Sequence, residues 1–288
     1  MVPESPLESG SRLADRIFGG LCLAAGLLVL VVLGLILFST GHEAMPAFRH
    51  EGLGFLTSRT WIPSPGHFGA LAFVFGTLVV SAVALVVAVP VSVGLALFIT
   101  EIAPKRLRTP VVLLIDLLAA IPSVVYGLWG ILVLGPAIAR GSGQRSFMTA
   151  GIILAIMITP IITSIAKEVF ATVPRDQREG AFGLGATRFE MIRGAVLPYS
   201  RTGLVGAVML GLGRAMGETI AVALVIGSSP TITANLFGPG DAMASVIANQ
   251  FGEATDVHRA ALIGLGVVLF VMTVLVNVAA RRLAGGER

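Results

Sequence analysis

The chain has 288 residues, of which 55% are hydrophobic and only 12% are charged, with a net charge of +4. Soluble domains carry about 25% charged residues, so a chain this apolar could not cover its own surface with polar groups and needs lipid as its solvent. The positive charge does not indicate nucleic acid, because the basic residues lie in short clusters between apolar runs, where they set membrane topology. The composition therefore predicts an integral membrane protein.

Metal and redox chemistry have little support in the sequence. The one cysteine, Cys22, lies within an apolar run, so neither an internal disulfide nor a cysteine metal cluster can form. The four histidines lie near the ends of apolar runs, with no helical pair among them: His42, His50, His67 and His258. We therefore expect neither a metal nor a cofactor.

Six runs are long enough to cross a bilayer, which takes about 20 mainly apolar residues. These runs are 17–38, 69–99, 109–134, 149–170, 202–227 and 259–280. The first exceeds the core of a signal peptide, which is about 7–15 residues, and no small-residue cleavage site follows it, so we interpret it as a retained helix. The pattern predicts an all-α polytopic membrane bundle of six transmembrane helices.

Three prolines fall well inside these runs, away from their ends. The second run is long for one span, so Pro90 predicts either a kink or a helix that reaches beyond the bilayer. Pro122 and Pro160 are expected to interrupt their helices in the same way. Membrane helices tolerate such breaks where neighbours satisfy the freed backbone groups, so the prolines indicate a bundle with an irregular interior.

The charges between the runs predict the orientation. The positive-inside rule assigns three basic clusters to the cytoplasm: 100–108, 171–201 and 281–288. The segment 228–258 carries acidic residues without Lys or Arg and is predicted to lie outside. The segment 135–148 is also predicted to lie outside, although it carries the basic residues Arg140 and Arg145. The other segments agree with one another, so they decide the orientation. Both termini are therefore expected in the cytoplasm.

With this orientation, residues 1–16 are expected to form a cytoplasmic tail, and residues 17–68 a first helix with its external loop. Residues 69–280 are expected to form a transmembrane domain, and residues 281–288 a second cytoplasmic tail. Within the external loop, residues 55–62 form an amphipathic stretch. Its Trp61 could anchor the chain at the headgroup level. An ordinary connecting loop fits the same residues equally well.

Three charged residues lie in the interior of the membrane runs, away from their ends: Asp116, Arg214 and Glu218. Burying such a group costs about 2.5–3.5 kcal/mol on insertion scales, and these residues usually face a bundle interior or an aqueous cavity. Arg214 and Glu218 are four apart, so on one continuous helix they share a face and can pair. Arg214 lies 12 residues into its run, which is about 18 Å along a helix and near the middle of a bilayer.

A guanidinium presents a planar fork of donors that suits the oxygens of phosphate. We therefore predict that Arg214 lines a substrate pathway. Glu218 would neutralise it at rest and would be transiently displaced as an anion passes. A buried pair that merely fixes the helix register is the alternative. Gly211, Gly213 and Gly217 flank the pair and would let another backbone approach closely.

Two further polar residues lie in the third run. Asp116 is near its cytoplasmic start, and Ser123 follows Pro122. A role on the pathway and a role in helix packing both fit these positions, and Asp116 could also extend towards water at the membrane surface.

The cytoplasmic loop 171–201 contains a compact amphipathic pattern. Phe182, Phe189 and Ile192 can form an apolar face, and Gly185 would allow a sharp turn between two short helices. An element of this kind outside the membrane indicates docking into a groove of a partner protein.

The same loop resembles the EAA motif of ABC-importer permeases, which reads EAA, three residues, G, nine residues, I, any residue, LP. Five residues match at the correct spacing: Glu179, Ala181, Gly185, Leu197 and Pro198. Gly180 replaces the first alanine of the motif, and Ala195 stands in place of its isoleucine. The resemblance implies a type I importer permease fold, like that of MetI. It also implies that these residues, with the adjacent Arg188, form a coupling helix that rides in a cleft of an ATPase subunit.

Two membrane segments, 119–130 and 211–219, are similar to the phosphate-specific PstC branch of that family, and the resemblance extends over about residues 68–280. It implies a heterodimer with a PstA-like permease in a bacterial inner membrane. Two PstB-like ATPase subunits would bind the cytoplasmic face, and a PstS-like binding protein would deliver phosphate from outside. The resemblance also implies that Arg214 and Glu218 lie on the phosphate path.

The chain itself has no nucleotide-binding loop. A Walker A loop requires Gly-Lys followed by Ser or Thr, whereas Lys105 follows Pro104 and Lys167 follows Ala166. We therefore expect a transport subunit that is not an enzyme, with ATP bound by its partners.

Two alternatives remain open from the sequence. The same architecture could carry another oxyanion, such as molybdate, tungstate or sulfate. A membrane-embedded enzyme would require a nucleophile–base pair or a set of metal ligands facing a cavity, and the sequence indicates neither.

Overall fold

The computed structural model of the protein describes residues 8–64, 66–138 and 145–285, and helices make up most of these ranges. The helices are α1 Glu8–Glu51, α2 Gly54–Thr57, α3 Leu71–Leu97, α4 Lys105–Ala120, α5 Ser123–Trp129, α6 Gly135–Ile138, α7 Phe147–Ala171, α8 Arg175–Gly183, α9 Arg188–Met191, α10 Leu197–Met216, α11 Ile220–Ile226, α12 Met243–Gln250 and α13 Asp256–Gly285. Within the described ranges, the only strands form a small antiparallel hairpin of β1, Trp61–Ile62, and β2, His67–Phe68.

Three π-helical segments extend or join these helices. Phe98–Ile102 prolongs α3, Gly130–Leu134 connects α5 to α6, and Ile192–Val196 connects α9 to α10. As a result, α9 and α10 form one continuous helix, Arg188–Met216, of 29 residues. Short π-helical stretches are frequent at functional sites.

Five helices in the described ranges are long and apolar enough to cross a membrane: Ala14–Glu51, Leu71–Ile102, Phe147–Ala171, Arg188–Met216 and Asp256–Arg282. A sixth span arises if the bent pair Lys105–Ala120 and Ser123–Ile138 crosses as one unit. The predicted all-α polytopic bundle is confirmed.

The first helix is longer than its apolar run. It has 44 residues, about 66 Å at ~1.5 Å per residue, more than twice the ~30 Å hydrocarbon core. Its side chains from Ile17 to Phe38 are exposed, and burial begins at Ala44 and Ala47, where the helix packs against α13. The prediction that a loop begins at residue 39 is therefore wrong, because the helix continues to Glu51. Residues 8–16, which were expected to form a tail, are also helical.

The amphipathic stretch at residues 55–62 packs inside the protein. Phe55 is fully buried and Trp61 is 8% exposed. The Trp61 indole lies edge-on to Phe68 and Phe73 and donates a hydrogen bond through Nε1 to Oε1 of Gln250 at 2.9 Å. The interpretation of Trp61 as a headgroup anchor is therefore wrong, because its polar edge is satisfied within the protein.

Only one of the three prolines breaks its helix. Helix α3 continues through Pro90, and α7 continues through Pro160. At Pro122 the chain bends by 90° between α4 and α5, because Ile121 adopts the extended conformation (ψ 128°) that is favoured before proline. The expected interruption at Pro160 is wrong.

Helix α7 lies at the centre of the bundle, in contact with α3, α4, α10 and α11. Small residues permit close packing on two of its faces. A Cβ on Gly151 would lie 2.4 Å from Cγ1 of Val83 in α3, and a Cβ on Gly203 would lie 2.6 Å from Cγ1 of Val169 in α7. Close approach at small residues is the usual way in which membrane helices pack.

Candidate functional site

The predicted fifth membrane run is broken rather than continuous. Helix α10 ends at Met216, residues 217–219 are not helical, and α11 begins at Ile220. Gly217 ends α10 with φ −91° and ψ 0°, and glycine is a poor helix former. Gly227 then ends α11 with φ +109°, a left-handed conformation that glycine adopts readily. The break lies within the segment that sequence analysis singled out.

The ion pair spans this break. Nη2 of Arg214, in the last turn of α10, lies 3.1 Å from Oε2 of Glu218. The other carboxylate oxygen, Oε1, accepts a hydrogen bond from the backbone N–H of Ala221 at 3.3 Å, in the first turn of α11. The predicted pairing is confirmed, but the reason given for it is wrong, since the two residues do not share a face of one helix.

The helix ends stabilise both charges. The carboxyl end of a helix favours a cation, and the amino end favours an anion, by about 0.3–1 kcal/mol each in exposed sites. Arg214 lies at the carboxyl end of α10, and Glu218 lies at the amino end of α11. The break therefore holds two opposite charges within the bundle and provides a backbone partner for the carboxylate.

The two members of the pair differ in how far the rest of the chain covers them. The side chain of Glu218 is 3% exposed, whereas that of Arg214 is 48% exposed. A guanidinium carries five N–H donors, so most of the Arg214 fork is free to meet an oxyanion. The depth of Arg214 in the bilayer stays a prediction.

The glycines around the pair have different surroundings. A Cβ on Gly211 would lie 2.6 Å from Cδ1 of Ile162, so α10 meets a side chain of α7 there rather than a backbone. Gly213 faces open space, and a Cβ on Gly217 would contact only the Gly213 carbonyl oxygen, at 3.4 Å. The expected backbone approach is therefore not found at these three positions.

A close backbone approach occurs on α5 instead. A Cβ on Gly127 would lie 3.0 Å from Cα of Ala221, and a Cβ on Gly130 would lie 2.9 Å from Cγ1 of Val225. Helix α5 therefore packs directly on α11, just after the helix break. Sequence analysis missed the roles of Gly127 and Gly130, although glycines spaced three apart were a visible signal.

Asp116 and Ser123 lie apart from the pair. Asp116 is exposed on α4 and lines a small cleft with Thr163, Ser164 and Lys167 of α7. Ser123 is half-buried at the start of α5. Among the described residues, no hydrogen bond or ion pair joins either side chain to Arg214 or Glu218.

The loop 171–201 contains two short helices, as predicted. Helices α8 and α9 are separated by Gly185 in a left-handed conformation, with φ +83°. A capping box formed by Thr187 and Glu190 starts α9, a pattern that satisfies otherwise free backbone N–H groups.

An exposed apolar surface surrounds this turn. Leu184 is 91% exposed, Phe189 is 70% exposed and Phe182 is 47% exposed. Ile192 was predicted to join them but is half-buried against the cluster formed by Phe170, Met191 and their neighbours. Sequence analysis missed Leu184, although a leucine between two glycines in a charged loop was the available signal.

The remaining residues of the EAA-like motif are divided between this surface and the bundle. Glu179, Gly180, Arg188 and Pro198 are exposed, whereas Ala181 and Leu197 are half-buried against the end of the bundle. Pro198 lies in the first turn of α10, directly after the π-helical segment Ile192–Val196.

The segment between α11 and α13 is packed into the protein. Asp241 is 3% exposed, and burial raises the pKa of its carboxyl group to about 6. Its Oδ1 accepts the backbone N–H of Ala242 at 2.9 Å, and a Cβ on Gly76 would overlap its carbonyl oxygen. The segment therefore docks closely on the first turns of α3.

Residues 88–286 match the family described as binding-protein-dependent transport system inner membrane component, and the chain belongs to this family. It is a multi-pass membrane protein of an inner-membrane permease family and is not itself an ATPase.

Within that family the chain is similar to proteins named phosphate transport system permease protein PstC. It is 43% identical to the PstC protein of Mesorhizobium japonicum, over 93% of this chain and 89% of that protein. It is 41% identical to PstC of Haemophilus influenzae, over 88% of each. It is also 42% identical to PstC 2 of Mycobacterium tuberculosis, over 96% of this chain and 94% of that protein.

Solved structures support the fold. A chain of a bacterial alginate ABC transporter, in complex with an alginate-bound periplasmic protein, matches with a TM-score of 0.64 and 18% identity, over 95% of this chain and 98% of that one. A chain of the MetNI methionine ABC transporter matches with a TM-score of 0.57 and 21% identity, over 76% of this chain and 94% of that one. The predicted MetI-like fold is confirmed. The family implies a complex with ATPase subunits and a periplasmic binding protein.

Proposed function

We propose that the chain is the permease subunit of an ATP-driven importer of inorganic phosphate and forms half of the translocation pathway. The observation that carries the proposal is a half-exposed Arg214 at a helix break, held by a buried Glu218. The names of the PstC relatives support phosphate as the cargo.

Arg214 is the mobile member of the pair in this proposal. Glu218 is buried, and its second oxygen is occupied by the amino end of α11, so displacing it would uncap a helix. The guanidinium lies at the end of a flexible side chain and faces open space. Phosphate therefore draws Arg214 away from a stationary Glu218, and Glu218 recovers Arg214 when phosphate leaves.

This exchange suits transport rather than tight binding. A free guanidinium in a low-dielectric site would hold a phosphate dianion strongly, and release would then limit the rate. The Glu218 carboxylate competes with phosphate for the N–H donors of Arg214. It therefore weakens the binding of phosphate without blocking the translocation pathway.

Coupling to ATP uses the continuous helix Arg188–Met216. The exposed apolar residues Leu184, Phe182 and Phe189 dock on an ATPase subunit, and α9 follows that subunit as it moves. Because α9 and α10 are one helix, a displacement at Arg188 reaches Arg214 without an intervening joint.

The complete importer contains a PstA-like permease, two PstB-like ATPase subunits and a PstS-like phosphate-binding protein. Both termini of the permease lie in the cytoplasm of a bacterial cell, as the basic clusters predict. Asp116 and Ser123, which lie apart from the ion pair, serve helix packing around the 90° bend between α4 and α5.

Uptake by the reconstituted complex tests this function. The permease is inserted into liposomes with its PstA-like and PstB-like partners, and labelled phosphate is supplied with the PstS-like protein and internal ATP. We expect ATP-dependent phosphate accumulation that excess sulfate, molybdate or tungstate does not reduce. Accumulation of one of those oxyanions in place of phosphate would contradict the proposal.

A further inference from the structure

Arg178 joins three helices at the cytoplasmic end of the bundle. Its Nη2 donates to Oε1 of Glu101 at 2.9 Å and to the carbonyl oxygen of Phe170 at 2.7 Å, and its Nη1 donates to the carbonyl oxygen of Val173 at 3.1 Å. Glu101 belongs to the π-helical end of α3, and Phe170 to the last turn of α7. One guanidinium on α8 therefore holds the ends of two membrane spans.

This contact is the main attachment of α8 to those spans. None of the residues of α8 is buried, and only Arg178 and Ala181 are half-buried. The Glu101 side chain is 8% exposed and that of Arg178 is 21% exposed. A shielded ion pair with charge-assisted hydrogen bonds is stronger than a surface pair, so it can transmit a force from α8.

We call the loop 171–201 the coupling loop. Its second half, which contains α9, belongs to a different helix from α8. Helix α9 continues directly into α10, whereas α8 is fastened to α3 and α7. Gly185 lies between them with φ +83° and with open space around it. The loop therefore turns at Gly185 between α8, which is bonded to α3 and α7, and α9, which leads into α10, so a partner that moves the loop acts on both helices.

Helix α3 reaches from Glu101 to the segment beside α11. The backbone N–H of Met243 donates to Oγ1 of Thr77 in α3 at 3.0 Å. In the same segment, the N–H of Gly240 donates to the carbonyl oxygen of Ile226, the last residue of α11, at 2.9 Å. Because Glu218 caps the other end of α11, this chain of contacts connects the coupling loop to the site of the ion pair independently of α10.

We propose that the Arg178–Glu101 ion pair is the link through which α8 moves α3 during the ATP cycle, and that Glu101 is a positioning residue for transport. The inference rests on the proposed function, because it assigns a role in the coupling of ATP hydrolysis to phosphate movement. It adds a second connection to the one that α10 provides.

Glu101→Ala tests the link selectively. This change removes the bond to α3 and leaves the Arg178 bonds to the carbonyls of Phe170 and Val173 in place. We expect the complex to assemble and hydrolyse ATP at a normal rate, but to import at least tenfold less phosphate per ATP. Glu101→Gln keeps the shape and the acceptor oxygen without the charge, so it is expected to give an intermediate ratio.

Glu168→Gln is the matched control. Glu168 lies at the same end of the bundle, is 72% exposed and pairs with the adjacent Lys167, so its removal is expected to leave the phosphate-to-ATP ratio unchanged. The double variant Arg178→Ala with Glu101→Ala is expected to import as much phosphate per ATP as Arg178→Ala alone, because the two residues are partners in one interaction.

The outcomes separate this inference from the proposed function. A wild-type complex that hydrolyses ATP without importing phosphate would contradict the proposed function. A wild-type complex that imports phosphate, together with a Glu101→Ala variant that keeps its ratio, would overturn the link alone. If Glu101→Ala prevents assembly of the complex, Glu101→Gln is measured in its place. A wild-type ratio of phosphate imported to ATP hydrolysed in that variant would overturn the link.

Discussion

Glu218 uses one carboxylate oxygen to hold Arg214 at 3.1 Å and the other to cap the helix that begins two residues later. The same side chain is therefore the counter-charge of the proposed substrate site and a structural element of the helix break. This double attachment separates the consequences of different substitutions at Glu218.

Glu218→Gln should change transport more than stability. The amide oxygen can still accept the N–H of Ala221, so α11 stays capped, but Arg214 loses its counter-charge. Phosphate should then bind more tightly and leave more slowly, and initial uptake rates should show a lower KM together with a lower kcat.

Glu218→Ala is the comparison for that variant. It removes the cap as well, which costs about 1 kcal/mol, so its thermal unfolding temperature should fall below that of Glu218→Gln. Equal unfolding temperatures with equal KM values would contradict the double role of the carboxylate.

Gly211→Val should destabilise the packing of α10 on α7. A Cβ at this position would lie 2.6 Å from the Ile162 side chain, and overpacking of this kind typically costs about 1–3 kcal/mol. Thermal unfolding of the purified permease in detergent measures the loss. Gly213→Ala is the matched control, because Gly213 is two residues away and faces open space; a comparable loss in that variant would contradict the packing explanation.

Leu184→Asp should weaken docking of the ATPase subunits. Leu184 is 91% exposed at the turn of the coupling loop, so the change costs the permease little stability, but it places a charge in an apolar contact. Co-purification of the ATPase subunits with the permease should fall at least tenfold.

Leu53→Asp is the control for that experiment. Leu53 is 84% exposed and lies outside the coupling loop, so its substitution should leave co-purification unchanged. Normal recovery of the ATPase subunits with Leu184→Asp would contradict the assignment of the docking surface.

Asp241 should make the stability of the permease depend on pH. Burial raises the pKa of this carboxyl group from 3.8 to about 6, so the folded state holds its proton to a higher pH than the unfolded state does. The folded state is therefore favoured at low pH and loses up to about 3 kcal/mol from this group as the pH rises from below 4 to above 6.

Asp241→Asn removes this titration. Thermal unfolding at pH 5 and pH 8 should show a smaller loss of stability with rising pH in the variant than in the wild type. The same pH dependence in both proteins would contradict a buried, titrating Asp241.

Hydropathy alone located most of the membrane helices. The run 149–170 corresponds to α7, Phe147–Ala171, because an apolar stretch of that length, charged only at Lys167 and Glu168 near its end, has few other solutions. The extension of α1 to Glu51 was not predictable in this way, since residues 39–51 are mixed in polarity and are held by packing of Ala44 and Ala47 near α13.

The candidate site could be predicted in its residues but not in its geometry. The spacing of Arg214 and Glu218 indicated a pair, whereas the break between them depends on the cap that Glu218 provides to α11 and on the approach of Gly127 to Ala221. The approach of Gly127 to Ala221 joins residues that are far apart in the sequence, so it becomes visible only in the folded protein. The Arg178–Glu101 pair joins residues 77 positions apart, and no local pattern predicts such a contact.

The role of Arg214 can be measured directly by phosphate uptake in proteoliposomes that contain the complete complex with Arg214→Ala. The account predicts a complex that assembles normally and loses at least 90% of ATP-dependent phosphate uptake, a tenfold effect that corresponds to about 1.4 kcal/mol. Arg259→Ala, which removes an arginine that lies over the Phe251 ring, should retain uptake. Wild-type uptake by Arg214→Ala at equal expression would contradict the central claim.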